Sequence, residues 1–115
     1  MYKVRATYLW REDMRFDFDH YFREHVPLAR RQHALGGLQV LRMEIETGAT
    51  ALLDPAQGRS PLAYSLYFRT LEDIEAFRRY MQSPLTEPLK ADVGRYTNCA
   101  LEWTVSEVRE LPPEE

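Results

Sequence analysis

Residues 16–28 form the most informative stretch of the chain, which is Phe16-Asp17-Phe18-Asp19-His20-Tyr21-Phe22-Arg23-Glu24-His25-Val26-Pro27-Leu28. Asp17 can cap a following helix by accepting hydrogen bonds from its first free backbone N–H groups, and Asp19 complements the positive helix end. Pro27 lacks a backbone N–H and its ring crowds the carbonyl group of Arg23, so we expect the helix to break or bend near His25. The stretch therefore predicts a helix with a backbone irregularity beside a histidine.

His25 lies on the apolar face of the predicted helix. The residues on that face, at three- and four-residue spacing, are Phe18, Tyr21, Phe22, His25, Leu28, Ala29, Gln32 and Leu35. A single histidine on such a face is more often a hydrogen-bonded core residue than a catalytic one, because an unpaired buried polar group is costly. The spacing alone favours a structural His25 and leaves the catalytic reading open.

The rest of the chain continues from this helix as an α+β pattern. Alternating residues predict strands at 2–9, 38–46, 62–69 and 100–108, with helices at 17–35 and 70–81 and a short turn at 88–92. Gly36-Gly37 ends the first helix, and Thr70 with Asp73 forms a capping box for the second. The resulting order, βαββαβ, is a ferredoxin-like unit with a four-stranded antiparallel sheet.

Two predictions concern the periphery of this fold. Strand two should lie near an edge of the sheet, and residues 47–61 should form a mobile surface loop, since they lack periodic apolar anchors and contain Gly48, Asp54-Pro55 and Gly58. A lid over a pocket is the alternative for that loop. We place one domain at residues 1–110 and a short tail at 111–115.

A sheet with both helices on one side leaves its other face to be covered. Strands one and three appear in the sequence with large or apolar residues on both of their faces, as at Tyr8 and Leu9 or Tyr64 and Tyr67. We therefore expect two copies to pack sheet against sheet as a homodimer, with the symmetry that most homo-oligomers adopt.

Composition narrows the classes of partner. The net charge is −3, with 15 Lys and Arg among 18 Asp and Glu, so no continuous basic surface is expected and nucleic acid is not a predicted partner. Cys99 is the only cysteine, which excludes an internal disulfide and fits a reducing cytoplasm. No signal peptide or membrane-spanning apolar run is present, so we expect a cytoplasmic protein without membrane contact.

The motif in residues 16–28 resembles that of the EthD family, named for a protein of ethyl tert-butyl ether degradation. The shared pattern is Phe16-Asp17-x-Asp19-x-Tyr21-x-x-x-His25-x-Pro27-Leu28, and a later Asp92-x-x-x-Tyr96-Thr97-Asn98 extends the likeness over most of the chain. The resemblance implies a ferredoxin-like α+β fold that dimerises into a small barrel, with a pocket near His25. His20 is a departure, because many relatives have a second tyrosine at this position.

The resemblance also implies cofactor-free proton-transfer or oxygen chemistry on cyclic or polyketide-like substrates, of oxidoreductase, dehydratase or cyclase type. His25 is the natural general acid/base, because its unperturbed pKa lies near neutrality. The predicted substrate contacts are Tyr8, Trp10, Tyr21, Tyr67, Tyr96, Asn98 and Trp103. The alternative function is a non-catalytic accessory protein that binds a hydrophobic intermediate in the same pocket.

The sequence gives no support for a metal or an organic cofactor. On a regular helix His25 and His33 share one face while His20 points elsewhere, and no cysteine or carboxylate cluster completes a ligand set. No phosphate-binding loop or dinucleotide fingerprint occurs either. We therefore predict neither metal nor haem, flavin or nicotinamide.

Overall fold

The computed structural model describes residues 1–114 as one antiparallel sheet with helices on one face. In chain order the elements are β1 (Tyr2–Tyr8), α1 (Phe18–His20), a π-helical turn (Tyr21–His25), α2 (Val26–Leu35), β2 (Arg42–Ala51), β3 (Asp54–Phe68), α3 (Leu71–Met81), a 3-10 turn (Pro84–Thr86), α4 (Glu87–Tyr96) and β4 (Leu101–Glu107). The strand order is β2-β3-β1-β4, so β2 lies at an edge as predicted. The ferredoxin-like α+β fold predicted from the sequence is confirmed.

The core lies between the sheet and the helices. Register places Val4 beside Leu66 and Ala6 beside Tyr64, so these alternate residues share the helix-facing side of the sheet. The buried residues of this layer include Val4, Ala6, Tyr8, Leu62, Tyr64, Leu66 and Phe68 from the strands and Ile74, Phe77 and Tyr80 from α3. The predicted capping box starts α3, with the Thr70 side chain accepting from the backbone N–H of Asp73.

The first helix begins as predicted, but it does not break at Pro27. The Asp17 side chain accepts a hydrogen bond from the backbone N–H of His20 at 3.0 Å. The Val26 N–H then donates to the carbonyl of Tyr21, five residues back, which makes residues 21–25 a π turn. Such a turn lets a helix continue past an interruption of its hydrogen-bond ladder. The predicted irregularity near His25 is therefore an inserted residue rather than a break.

The π turn also changes which side chains face the core. Phe18 and Phe22 are exposed although the regular helical period places them inward with His25. The wider turn adds one residue, so the residues before it lose the phase that a period of 3.6 residues assigns them relative to His25. Leu35, at the end of the helix, is also exposed.

The prediction of a mobile surface loop at 47–61 is wrong, because these residues form the outer part of a long β-hairpin. β2 pairs with β3 as far as Ala51 and Asp54, with register shifts after Ala49 and Thr50. The glycine and proline residues of this segment lie in paired, bulged strands, where they are also tolerated. The tip of the hairpin carries Leu52 and Leu53, each 94% exposed.

The predicted short turn at 88–92 is also wrong, because a ten-residue helix, α4, spans Glu87–Tyr96. Pro88 lies in its first turn, where the missing N–H has no helical partner in any case. Asp92 and Tyr96 lie four residues apart on α4 and therefore share one face. Both are buried, and both face the first helix.

The open face of the sheet is polar, which corrects the expectation of large apolar residues on both faces of β1 and β3. It carries Lys3, Arg5, Thr7, Arg42, Glu44, Glu46, Ala63, Ser65, Tyr67, Glu102, Thr104 and Ser106. Arg5 pairs with Glu46 at 3.2 Å, and the Tyr67 hydroxyl donates to Glu44 at 2.6 Å. Arg42 stacks over the Tyr67 ring at 4.3 Å. The residues of β1 and β3 that face away from the helices are therefore small or polar, and long charged side chains lie over them.

Candidate functional site

A chain of four hydrogen-bonded side chains forms the candidate site at the meeting of the first helix, α4 and β1. His25 Nδ1 lies 2.9 Å from an oxygen of the Asp92 carboxylate, and its Nε2 lies 3.3 Å from the Tyr96 hydroxyl. The Tyr96 and Tyr8 hydroxyls are 2.5 Å apart. All four residues are buried, so an ionised carboxylate, an imidazole and two phenols are held away from bulk water.

His20 makes a second contact with the same carboxylate. Its Nε2 lies 2.9 Å from the other Asp92 oxygen, and its ring stacks near Tyr96. His20 and His25 are five residues apart, a spacing that a π turn brings to one side of a helix. The sequence prediction placed His25 and His33 on one face, and both do line the same cavity, but its separation of His20 from His25 is wrong. Each oxygen of the Asp92 carboxylate is thus hydrogen-bonded to one histidine.

The protonation states of the site follow from burial and from these bonds. Burial lowers the pKa of His25, although the hydrogen bond and charge of Asp92 partly oppose the change. Burial acts to raise the pKa of Asp92, but the hydrogen bonds from His20 and His25 outweigh it and the pKa is lowered. Burial raises the pKa of Tyr8 and of Tyr96. At neutral pH the site therefore holds a carboxylate, a neutral His25 and two phenols.

The positions of the hydrogens follow from those states. Neutral His25 donates its single N–H from Nδ1 to Asp92, which leaves Nε2 as an acceptor. Tyr96 must then donate its hydroxyl hydrogen to Nε2, and Tyr8 must donate to the Tyr96 oxygen. Every N–H and O–H hydrogen of these four side chains is thus donated in a hydrogen bond, and the oxygen of Tyr8 keeps free lone pairs. This arrangement is ready to receive a proton.

A cavity of about 150 Å³ adjoins the site. Its lining comprises Ala6, Tyr8, Tyr21, His25, Val26, Ala29, His33, Met43, Tyr64, Tyr80, Met81, Thr86, Leu89, Lys90, Val93, Leu101 and Trp103. Most of these are apolar or aromatic, as is usual for small-molecule sites. An engineered apolar cavity of this size binds benzene, so the space suits a small ring compound.

The structure brings together some of the predicted site residues and separates others. Tyr8, Tyr21, His25 and Trp103 line the cavity, and Tyr96 stands directly behind His25. Three predicted residues lie elsewhere. Tyr67 is on the open face, Trp10 packs against Gly58, and Asn98 bonds to the backbone of Arg15 and Asp13.

Sequence reasoning assigned no role to five residues that the site contains. They are His20, Asp92, His33, Tyr64 and Tyr80. The sequence signal that could have identified Asp92 is its spacing from Tyr96, because two polar residues four apart on an amphipathic helix lie next to each other on one face. Their meeting with His25, some seventy residues away in the chain, follows only from the tertiary fold.

Two structural findings concern metal binding and membrane-spanning helices. Within residues 1–114, no three histidine, cysteine or acidic side chains are arranged so that they could hold a metal ion. Across the same residues, no helix combines the length and the apolar character required to traverse a bilayer.

Comparisons with known proteins place the fold among solved structures. No family model matches the chain, and no curated protein sequence matches it either. An EthD-like protein from Ralstonia eutropha JMP134 aligns over 92% of this chain and 89% of its own, with 23% identity and a TM-score of 0.71. An ethyl tert-butyl ether degradation family protein from Bacillus halodurans C-125 aligns over 95% and 99%, with 20% identity and a TM-score of 0.61.

A third solved structure is that of SnoaB, described as a cofactor-independent oxygenase from Streptomyces nogalater. It covers 98% of this chain and 95% of its own, with 16% identity and a TM-score of 0.51. Likeness at these identities concerns the fold. The chain therefore has the fold of the EthD-like proteins, as the motif in residues 16–28 predicted.

Proposed function

We propose that this protein is a small cofactor-free enzyme that removes a proton from a cyclic, largely apolar substrate held in the cavity. The observation that carries this proposal is the buried chain Asp92–His25–Tyr96–Tyr8, which ends at the cavity with unused acceptor lone pairs. A neutral histidine oriented by a carboxylate is the usual arrangement for general base catalysis.

In the proposed step, Tyr8 and His25 contact the substrate. The oxygen of Tyr8 accepts the substrate proton as its own hydrogen passes to Tyr96 and the hydrogen of Tyr96 passes to His25 Nε2. The imidazolium that forms is stabilised by Asp92, which is already ionised and hydrogen-bonded to Nδ1. Loss of a proton is the step common to isomerisation, cyclisation and reaction of a substrate anion with dioxygen. The fold likeness to a cofactor-independent oxygenase fits the last of these.

A direct test uses proton exchange of a carbon acid that fits the cavity. 2-Indanone in deuterated buffer exchanges its α-hydrogens, and NMR follows the loss of their signal. We expect the protein to accelerate exchange and His25→Asn to lower the protein-dependent rate by about 10²–10⁴-fold, the usual size of a general base contribution. Tyr67→Phe, on the opposite face of the sheet, is the matched control and should keep the rate.

The alternative function, a non-catalytic accessory protein that binds a hydrophobic intermediate, has one observation in its favour. Apart from its two histidine clusters, Thr86 and Lys90, the cavity lining is apolar, and apolar walls are what a carrier needs. Binding of 2-indanone without any acceleration of exchange would favour this alternative and contradict the enzyme. Mass spectrometry of compounds that copurify with the protein identifies the ligand in either case.

We also propose that the protein is a cytoplasmic homodimer joined through the open faces of its sheets. That face carries charges of both signs, so a symmetric contact can pair them, and the buried Nε of Arg5 has no hydrogen-bond partner within residues 1–114. Light scattering should give twice the chain mass of 13.6 kDa. A monomer mass at micromolar concentration would contradict the proposal.

A further inference from the structure

A second histidine cluster lines the same cavity. His33 Nδ1 lies 3.0 Å from the Tyr80 hydroxyl, and its Nε2 lies 2.8 Å from the Tyr64 hydroxyl. All three residues are buried, and all three line the cavity. His33 lies eight residues beyond His25, which is about 12 Å along a helix axis. The proposed proton transfer makes no use of this cluster.

The hydrogens of this cluster outnumber its hydrogen bonds. Within residues 1–114 no carboxylate contacts His33, and burial lowers its pKa to about 4, so the imidazole carries one N–H at neutral pH. The two phenols keep their hydrogens, because burial raises the pKa of Tyr64 and raises that of Tyr80 to about 12. Three hydrogens are therefore available, and the two bonds to His33 use two of them.

The third hydrogen belongs to whichever tyrosine accepts from the imidazole N–H. In one tautomer this is Tyr64 and in the other it is Tyr80, and neither hydroxyl has a further partner within residues 1–114. A buried donor without an acceptor is unfavourable, so an acceptor atom of a ligand is stabilised there. The His25 end of the cavity has the opposite character, because its hydrogens are all used and it offers acceptors.

We infer that the His33–Tyr64–Tyr80 cluster is a second subsite, which binds a carbonyl or ether oxygen of the ligand. This inference rests on the proposed function, in that the cavity must take a ligand at all. Together the two ends select a small ring compound with an acidic hydrogen at one end and an acceptor oxygen at the other. The rest of the lining is mostly apolar, with Thr86 and Lys90 as the polar exceptions, which favours a ligand that is apolar along its middle.

The test compares two probes of nearly equal shape. Cyclohexanone has a C=O group that accepts a hydrogen bond, and methylenecyclohexane has a C=CH₂ group in its place. Dissociation constants are measured by NMR titration in the wild type, in Tyr64→Phe/Tyr80→Phe and in Tyr67→Phe as a matched control. We expect the ratio of the hydrocarbon constant to the ketone constant to be about three- to tenfold higher in the wild type than in the double variant, the size of one net hydrogen bond. Tyr67→Phe should keep the wild-type ratio.

A second measurement keeps the test decisive if the double variant does not fold. In the wild type, cyclohexanone should move the ring signals of His33 and methylenecyclohexane should leave them nearly unchanged. Equal ratios in all three proteins, or equal shifts with both probes, would overturn the subsite while leaving the cavity as a ligand site. Failure of both probes to bind would overturn the subsite and the proposed function together.

Discussion

His25 and His33 occupy the same face of one helix and the same cavity, yet their surroundings give them opposite properties. His25 contacts an ionised carboxylate through one nitrogen and a phenol through the other. His33 contacts a phenol through each nitrogen and, in the part of the chain that the structure describes, no charged group. Burial lowers the pKa of both residues, but only at His25 does a neighbouring carboxylate oppose the change. Burial thus disfavours protonation of both histidines, and the Asp92 carboxylate counteracts this effect at His25.

The largest expected effect comes from removing the charge that distinguishes the two histidines. Asp92→Asn takes away the anion that stabilises protonated His25 and lets the amide favour the wrong tautomer of the ring. We expect the rate of 2-indanone exchange to fall by about 10²–10⁴-fold, with the pKa of His25 lowered further. NMR gives both the exchange rate and the His25 titration. An unchanged rate in folded protein would remove the basis of the comparison.

The next effect is on stability at acid pH and isolates His33. Its folded-state pKa of about 4 lies below the ordinary value of 6.5, so the unfolded chain binds a proton in that range while the folded protein does not. The stabilisation is complete above pH 6.5 and is lost as pH falls toward 4, by up to about 3 kcal/mol. Urea unfolding at pH 7 and pH 4.5 measures it.

His33→Gln is the control for this acid effect. Without a titrating group at position 33, the free energy of unfolding should depend less steeply on pH, whatever its value at pH 7. His25 contributes with the same sign, since its pKa is lowered too, so some dependence should remain. Equal slopes in the two proteins would show that His33 is not held neutral by the fold.

A smaller effect is expected from His20, which acts on His25 only through Asp92. His20→Asn removes one of the two donors to the carboxylate, and it also removes the electrostatic effect of His20 that lowers the pKa of His25. We expect the exchange rate to fall by about three- to tenfold, the size of one hydrogen bond, and the pKa of His25 to rise. A pKa that falls instead would contradict this arrangement.

The smallest expected effect sharpens the comparison from the other side. Tyr80→Phe leaves the chain Asp92–His25–Tyr96–Tyr8 intact, because the Tyr80 hydroxyl contacts only His33 within the described residues. The exchange rate of 2-indanone at saturation should therefore stay at the wild-type value. A large loss of rate would mean that the second cluster takes part in proton transfer.

The fold was predictable from the sequence where local chemistry decides it. The caps at Asp17 and Thr70 and the alternation around Val4 and Leu66 are signals of neighbouring residues, and the structure confirms them. The hairpin at 47–61 was not predictable in this way, since its glycines and prolines also mark loops. Only the pairing of β2 with β3, which is non-local, holds those residues in strands.

The candidate site was predictable only in part, for the same physical reason. His25 could be singled out from its helical position and Tyr96 from the motif, because each has a signal within a few residues. The hydrogen bonds of Asp92 to His25 and His20 join residues that are 67 and 72 positions apart in the sequence. The role of Tyr64 and Tyr80 depends on a third element, α2, that brings His33 between them.

The π turn at residues 21–25 holds one residue more than an α-helical turn, since the Val26 N–H reaches back five residues to Tyr21. Deleting one residue there would let the segment close as a regular α-helix, and His20 and His25 would then lie four residues apart, still on one side. Deleting a residue of the regular helix α2 between His25 and His33 would instead turn these two histidines apart by about 100°. The segment before His25 therefore tolerates a change of length by one residue, whereas the spacing from His25 to His33 does not.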